Sequence, residues 1–178
     1  MRFTPTALRD AVLIDPEPRT DSRGFFARTF CKDEFAAAGL ATVFVQHNFS
    51  FNHLEGTLRG LHYQVAPHRE IKVVQCVRGA IHDVIVDMRP DSATYLKWQG
   101  FDLTEYNKRQ LYVPEGFAHG YLTLEDNSAV SYLVSVPYAP GAEAGLRWND
   151  AMLSIDWPVE IRIISDKDAQ WPDYTLHR

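Results

Sequence analysis

Five residues of this sequence have side chains that together suit proton transfer: His62, Lys72, His119, Tyr132 and Asp168. Removing a proton beside a ketone requires a base, a cation or donor at the developing enolate oxygen, and an acid that returns the proton. A histidine held by a carboxylate can be the base, a lysine can supply the charge, and a tyrosine can be the acid on the opposite face. This chemistry requires a fold that brings the five residues together.

Two of the five residues belong to one stretch, residues 58–72, with the sequence LRGLHYQVAPHREIK. Pro67 divides it into two predicted strands. Side chains alternate along a strand, which predicts two faces: Leu58, Gly60, His62 and Gln64 on one, and Arg59, Leu61 and Tyr63 on the other. Glu70 and Lys72 share a face of the next strand. If these faces meet, one pocket contains a histidine and a lysine.

Each of these residues also has a structural interpretation. Lys72 can be an exposed lysine and His62 a histidine with satisfied hydrogen bonds. Tyr132 can be a core tyrosine of a strand, and Asp168 can begin a helix or lie in a loop. The other histidines are interpreted as surface or structural residues: His47, His53, His68, His82 and His177. Spacing alone does not choose between these interpretations.

The spacing of several residues matches the two metal motifs of the cupin superfamily. The second motif is Pro-x-Gly-x-x-His, and the first is His-x-His followed by a Glu seven residues before a Gly. The residues at these positions are, in order, His62, Gln64, Lys72, Gly79, Pro114, Gly116 and His119. A lysine ammonium repels a cation, so the sequence predicts the cupin frame without its metal; Glu70 remains an alternative carboxylate ligand.

Short apolar and β-branched runs separated by turn residues predict the elements that position these side chains. The predicted strands cover residues 11–14, 25–30, 42–51, 57–64, 70–77, 80–89, 95–103, 110–113, 118–124 and 129–136. A helix is predicted over 32–38, ended by Gly39. Arg78-Gly79 is interpreted as a hairpin connection. The pattern predicts an all-β, antiparallel jelly roll with a few short peripheral helices.

Length and composition indicate one globular domain, residues 1–178, with about thirty C-terminal residues wrapping the outside. A formal net charge of −5 argues against a general nucleic-acid binder. There is no apolar run near 18 residues and no signal-peptide pattern, so no membrane segment and a cytoplasmic location are expected. Cys31 and Cys76 lack metal spacing and are interpreted as reduced packing residues.

At these residues the sequence resembles the dTDP-4-dehydrorhamnose 3,5-epimerase family. The resemblance runs from about Asp21 to Pro172 and rests on many motifs in order. They are Asp21-x-Arg23-Gly24-Phe25-Phe26, Gln46-x-Asn48-x-Ser50, Leu58-Arg-Gly-Leu-His62, Lys72-Val-Val, Gly79-x-x-x-Asp83-Val-x-Val-Asp87-x-Arg89, Ser92-x-Thr94-Tyr95, Pro114-x-Gly-Phe-Ala-His-Gly120, Tyr132, Tyr138-x-Pro140, Trp148-Asn-Asp150, Ile155-x-Trp-Pro158 and Ser165-x-Lys-Asp168.

The resemblance implies a cupin jelly-roll homodimer in which N-terminal strands cross to the partner. It implies cofactor-independent, metal-free epimerisation of a nucleotide-linked 4-keto-6-deoxyhexose at C3 and C5. His62 would be the base and Asp168 its support, Lys72 would stabilise the enolate, Tyr132 would reprotonate C5, and His119 would lie near the ketone. The nucleotide would be bound by Arg23, Phe26, Gln46, Asn48, Arg59 and Tyr138.

Three residues depart from the family pattern. Arg19 stands where an aromatic residue is usual, Arg28 where Glu is usual, and Glu70 where Gln is usual. The first two lie in the region associated with the nucleotide, and Glu70 adds a negative charge near Lys72. Three functions stay open: a 3,5-epimerase acting on dTDP-4-keto-6-deoxyglucose, an epimerase of one carbon or of another nucleotide-linked ketosugar, and a non-catalytic sugar-nucleotide-binding cupin.

Overall fold

The structure, a computed structural model, describes residues 1–175, so His177 lies outside it. Its elements are, in chain order, β1 (Arg2–Pro5), β2 (Val12–Asp15), β3 (Arg19–Asp21), β4 (Gly24–Phe26), α1 (Lys32–Ala37), β5 (Gln46–Asn52), β6 (Thr57–Gln64), β7 (Lys72–Arg78), β8 (Ala80–Asp87), β9 (Trp98–Thr104), β10 (Gln110–Val113), β11 (Phe117–Thr123), β12 (Ser128–Val134), β13 (Glu143–Gly145), β14 (Ile163–Ile164) and α2 (Asp166–Ala169). No helix within residues 1–175 has the length and apolar character to cross a membrane.

Two large sheets face each other. The first has the strand order β1-β2-β10-β7-β12-β5, and the second has the order β13-β6-β11-β8-β9. Neighbouring strands in both of these sheets are antiparallel. The short β14 joins the second sheet by pairing parallel to the start of β6. A separate hairpin consists of β3 and β4. The predicted antiparallel jelly roll of the cupin type is confirmed.

Apolar side chains form three buried clusters. The central cluster lies between the sheets and contains residues of both, among them Val74, Ile85 and Leu111. A second cluster covers the outer face of β6, β8 and β11, where residues of the C-terminal segment such as Trp157 pack. A third lies beneath α1, whose Phe35 is fully buried. Each fully buried Leu, Ile or Phe contributes about 1.5–3 kcal/mol, so the sheets are held together from both sides.

Most predicted elements are present with shifted ends. The helix is confirmed at Lys32–Ala37. Three predicted strands are partly wrong, because 27–30, 42–45 and 95–97 are not strand. The sequence did not predict β1, β3, β13 or β14, which are each two to four residues long. It indicated α2, four residues long, only through the alternative that Asp168 begins a helix. Elements this short carry too few residues for a periodic pattern.

The hairpin interpretation of Arg78-Gly79 is wrong. β7 ends at Arg78 and β8 begins at Ala80, but the two strands belong to different sheets. Gly79 has a φ of +71°, and a Cβ there would lie 2.5 Å from Oγ of Ser128. The glycine therefore forms a tight corner where the chain passes from one sheet to the other.

The predicted alternation along β6 is wrong at Arg59, although Leu61 and Tyr63 do pack together on the outer face. Opposite residues of an antiparallel pair project to the same side, and β6 pairs with β11 through His62↔His119 and Arg59↔Tyr121. The β11 partners are two positions apart and the β6 partners are three positions apart, so β6 contains one extra residue, a bulge. Arg59 and His62 therefore face the same interior, not opposite faces.

The bulge depends on two glycines. Gly60 has a φ of +111°, and a Cβ there would lie 2.6 Å from Cα of Gly120. A Cβ on Gly120 would in turn lie 2.6 Å from the Arg59 carbonyl oxygen. Gly60 therefore leaves space for the backbone of β11.

Candidate active site

A cavity of about 630 Å³ lies between the two sheets. All of the predicted site residues except two line it: His62, Lys72, His119, Tyr132, Asp168, Gln46, Asn48, Arg59 and Tyr138. They come from β5, β6, β7, β11, β12, α2 and the connection after β12. The expected convergence of a histidine, a lysine and a tyrosine in one pocket is confirmed.

His62 is held by Asp168. Nε2 of His62 lies 2.6 Å from Oδ1 of Asp168, and the Gly60 N–H donates to Oδ2 at 3.1 Å. Asp168 lies in α2, whose N-cap Ser165 accepts a hydrogen bond from the Asp168 N–H. Burial raises the pKa of Asp168, but the hydrogen bonds from His62 and Gly60 outweigh it and hold this pKa below its ordinary value. A charged Asp168 orients the imidazole and leaves Nδ1 of His62 available as a base.

A second histidine–carboxylate pair lies next to the first. His119 is the direct cross-strand partner of His62, and its Nε2 lies 2.9 Å from Oδ2 of Asp83. Asp83 is fully buried, and its Oδ1 has no hydrogen-bond partner among residues 1–175. The two imidazoles therefore stand side by side, each supported by a carboxylate.

Lys72 forms an ion pair inside the cavity. Its Nζ lies 2.8 Å from Oε1 of Glu70, and both side chains are mostly buried. Gln64 donates from Nε2 to Oε2 of Glu70 at 3.1 Å and accepts from the Ala139 N–H at 2.7 Å. This chain of hydrogen bonds fixes the lysine ammonium at the cavity wall.

Tyr132 faces the histidines from the first sheet. It lies in β12 between Asn48 of β5 and Val74 of β7. Burial raises the pKa of Tyr132, with nearby Tyr121 as a smaller cause. The phenol therefore carries its proton at neutral pH, as a general acid must.

Polar residues at the mouth of the cavity match the predicted nucleotide site in part. Arg59 donates from Nε to Oδ1 of Asn52 at 2.7 Å, and its guanidinium borders the cavity. Tyr138 is exposed and donates to Glu143 at 3.3 Å. A guanidinium and an exposed aromatic ring suit a diphosphate and a base.

Arg23 and Phe26 are not brought to this cavity. They lie at the β3–β4 hairpin, where Arg23 pairs with Asp21 at 2.6 Å. The ring of Phe26 is 70% exposed. The prediction that they share a site with Arg59 is therefore not met within one chain.

Three further residues at the site were not predicted. Asp83 supports His119; Glu143 lies at the cavity rim with Lys167, which donates to it. Asp83 could have been found from sequence, since it is a charged residue within the apolar run of β8. Lys167 belongs to the Ser165-x-Lys-Asp168 motif but was given no role, and Glu143 could not be found because it lies in a three-residue strand without a pattern.

Within residues 1–175, no group of three or more His, Cys, Asp or Glu side chains is arranged to hold a metal ion. Lys72 and Gln64, at the cupin ligand positions, are instead linked through Glu70.

Comparison with known proteins decides the family. The family model described as dTDP-4-dehydrorhamnose 3,5-epimerase matches residues 5–175. The chain belongs to this family. An enzyme of that name from Methanothermobacter thermautotrophicus is 44% identical over 173 residues, covering 96% of this chain and 92% of the relative.

Other members agree in fold and differ in described activity. A crystal structure of the 3,5-epimerase from Bacillus anthracis, with TDP and PPi bound, has a TM-score of 0.94 and 43% identity, covering 97% of this chain and 99% of that chain. A dTDP-4-dehydrorhamnose 3-epimerase from Streptomyces niveus is 38% identical over 169 residues, covering 94% of this chain and 81% of the relative.

Proposed function

We propose that this protein is an isomerase that inverts C3 and C5 of dTDP-4-keto-6-deoxyglucose and forms dTDP-4-dehydrorhamnose. Family membership supports the substrate class. The observation that carries the reaction is the facing of two groups across one cavity, the His62–Asp168 pair on the second sheet and Tyr132 on the first. Inversion at carbon requires removal of a proton from one face and its return to the other. A base and an acid on opposite walls meet that requirement.

In this proposal Nδ1 of His62 removes the proton next to the C4 ketone, because Nε2 is engaged by Asp168. The electron pair moves to the ketone oxygen, and the resulting enolate is stabilised by the Lys72 ammonium and by His119. Tyr132 then gives its proton to C5 from the opposite side. At C5 these residues supply both the removal and the return of the proton, so inversion there requires no cofactor or metal.

Arg59, Gln46, Asn48 and Tyr138 would bind the nucleotide at the cavity mouth. We further propose a homodimer of single jelly-roll domains. The exposed β3–β4 hairpin of one protomer would reach the partner's cavity and supply Arg23 and Phe26. Two observations support this: the hairpin lies outside its own cavity, and it exposes Phe25 and Phe26. A cytoplasmic location is proposed because both cysteines are free.

A single-carbon epimerase is the second candidate, favoured by the 38% identity to the 3-epimerase of Streptomyces niveus. The Glu70–Lys72 ion pair bears on this choice, since it sets the charge beside the sugar. A binding protein without catalysis is disfavoured by the intact His62–Asp168 pair.

The test is proton NMR of dTDP-4-keto-6-deoxyglucose incubated with the protein in D2O. We expect deuterium to enter both C3 and C5. A His62→Ala variant should lose this exchange and still bind dTDP. His47→Ala should exchange normally, because His47 is exposed and, among residues 1–175, its side chain bonds only Ser131. Exchange at one carbon would establish the single-carbon enzyme. No exchange above the enzyme-free control would refute the proposed substrate.

A further inference from the structure

Trp171 lies beside His62, in the position that a side chain of Gly145 would occupy. Gly145 of β13 is the direct cross-strand partner of His62. A Cβ on Gly145 would therefore project to the same side as His62, and it would lie 2.1 Å from Cε2 of Trp171. The indole takes the place of the missing side chain. Its ring centroid is 6.3 Å from that of His62, at an interplanar angle of 65°.

His62 is thus enclosed on three sides. His119 of β11 is its neighbour on one side, and Trp171 occupies the β13 side. Asp168 holds the Nε2 edge of the ring. An edge-to-face contact of this kind is favourable at centroid distances of 4.5–7 Å. Asp168 fixes the direction in which Nε2 of the His62 imidazole points, and Trp171 limits how far this ring can tilt toward β13.

The indole is held in place by its backbone and by packing. The Trp171 carbonyl accepts a hydrogen bond from Nε of Arg147 at 2.9 Å. Its Nε1 is buried and has no hydrogen-bond partner among residues 1–175.

We propose that Trp171 is a positioning residue for His62, and that Gly145 is required because its missing side chain admits the indole. The proposal rests on the proposed function, in which His62 is the base. Proton transfer from carbon depends steeply on the alignment of base and C–H bond. A ring free to tilt toward β13 therefore loses rate while the nucleotide contacts remain.

A simpler role is also open to Trp171, namely anchoring of the C-terminal segment against the sheet. Anchoring alone predicts lower stability with unchanged kcat in the folded enzyme. Positioning predicts lower kcat with little change in KM.

The experiment measures kcat and KM for deuterium entry and inversion in four variants: Gly145→Ala, Trp171→Ala, Trp171→Phe and the double variant that combines Gly145→Ala with Trp171→Ala. The φ of Gly145 lies outside the left-handed region, so alanine fits the backbone and acts by displacing the indole. We expect Gly145→Ala and Trp171→Ala each to lower kcat by about 10-fold or more with KM nearly unchanged. Trp171→Phe should restore most of the rate. In the double variant Gly145→Ala should add no further loss, because the indole it displaces is gone.

Trp157→Phe is the control, since Trp157 packs on the outer face of the second sheet and its Nε1 bonds the Trp148 carbonyl, away from the cavity. It should keep the wild-type kcat. Wild-type rates in both Gly145→Ala and Trp171→Ala would overturn the proposal, as would additive losses in the double variant. An inactive wild-type protein would instead refute the proposed function. Urea unfolding identifies a variant that has lost activity only because it is unfolded. If either Gly145→Ala or Trp171→Ala is unfolded, the kcat of the other one tests the proposal.

Discussion

The proposed role of Tyr132 can be tested directly, because proton donation depends on one atom of the side chain, the phenol oxygen. Tyr132→Phe keeps the ring that packs against the central core and removes the proton proposed for C5. We expect inversion at C5 to fall by about 10²–10⁴-fold, the usual contribution of a general acid. Binding of dTDP should be unchanged. NMR in D2O measures the first quantity and calorimetry the second.

The control for this prediction is Tyr106→Phe, because Tyr106 is 72% exposed and does not line the cavity. Undiminished inversion at C5 in Tyr132→Phe would remove Tyr132 from the proposed mechanism. Weaker dTDP binding with normal inversion would instead make it a binding residue.

Residue types were enough to predict a histidine, a lysine and a tyrosine at one site, whereas the His62–Asp168 pairing was implied only by the family resemblance. His62 and Asp168 are 106 positions apart, and no local pattern in the sequence connects them. The same holds for His119 and Asp83, which meet only because β8 and β11 are neighbours in the sheet. The Glu70–Lys72 pair is different, since the two residues are only two positions apart at the start of β7, and their predicted shared side is where they form an ion pair.

At the scale of elements, a buried carboxylate ties three segments together at the end of β8. Asp87 is fully buried and accepts hydrogen bonds from Arg89, Ser92 and Thr94. Arg89 also reaches the N-terminal segment through Asp10 at 2.8 Å. Burial raises the pKa of Asp87, but the hydrogen bonds from Arg89, Ser92 and Thr94 outweigh it and lower this pKa to about 2.

A pKa that is lowered on folding stabilises the protein above the unfolded value, here 3.8. This stability is lost as the pH falls through about 4 to 2. We expect Asp87→Asn to be less stable than wild type by about 2 kcal/mol at pH 7, and the difference to vanish near pH 2. Urea unfolding from pH 7 to pH 2 measures it.

Asp126→Asn is the matched control, since Asp126 accepts from the exposed Glu55 N–H and is not buried. It should track wild type across the same range. A difference between Asp87→Asn and wild type that stays constant down to pH 2 would show that charge on Asp87 is not the source of stability.

Strand positions could be predicted from sequence better than strand partners. The apolar runs gave β6, β7, β8, β10, β11 and β12 with small shifts. The bulge in β6 and the sheet change at Gly79 were missed, because each is defined by a second strand: Gly120 of β11 in one case and Ser128 of β12 in the other. A glycine in the sequence signals a special backbone position, but the residue of the other strand that packs against it determines whether this position is a bulge or a corner between sheets.

For the whole molecule, the separation of the β3–β4 hairpin from the cavity is the feature that one chain leaves unexplained. Sequence motifs placed Arg23 and Phe26 with the nucleotide, and the fold of a single chain does not bring them there. A closed twofold dimer resolves this, because each hairpin can serve the other cavity. The hypothesis makes each site composite, and composite sites can be tested by mixing defective chains.

We predict that Arg23→Ala and His62→Ala homodimers are each inactive and that a heterodimer of the two is active. In a crossed dimer, the cavity with intact His62 receives the hairpin with intact Arg23, so one of the two sites is whole. A heterodimer purified through two different tags should have about half the wild-type activity. If each hairpin serves its own chain, both sites carry a defect and the heterodimer is inactive, which would refute the crossed arrangement. A molar mass of one chain by light scattering would refute the dimer itself.

A heterodimer of His62→Ala with Asp168→Asn is the matched control, because both changes affect residues that lie in the same cavity of one chain. That heterodimer has no whole site in either arrangement, so it should stay inactive and show that the recovered activity comes from the hairpin.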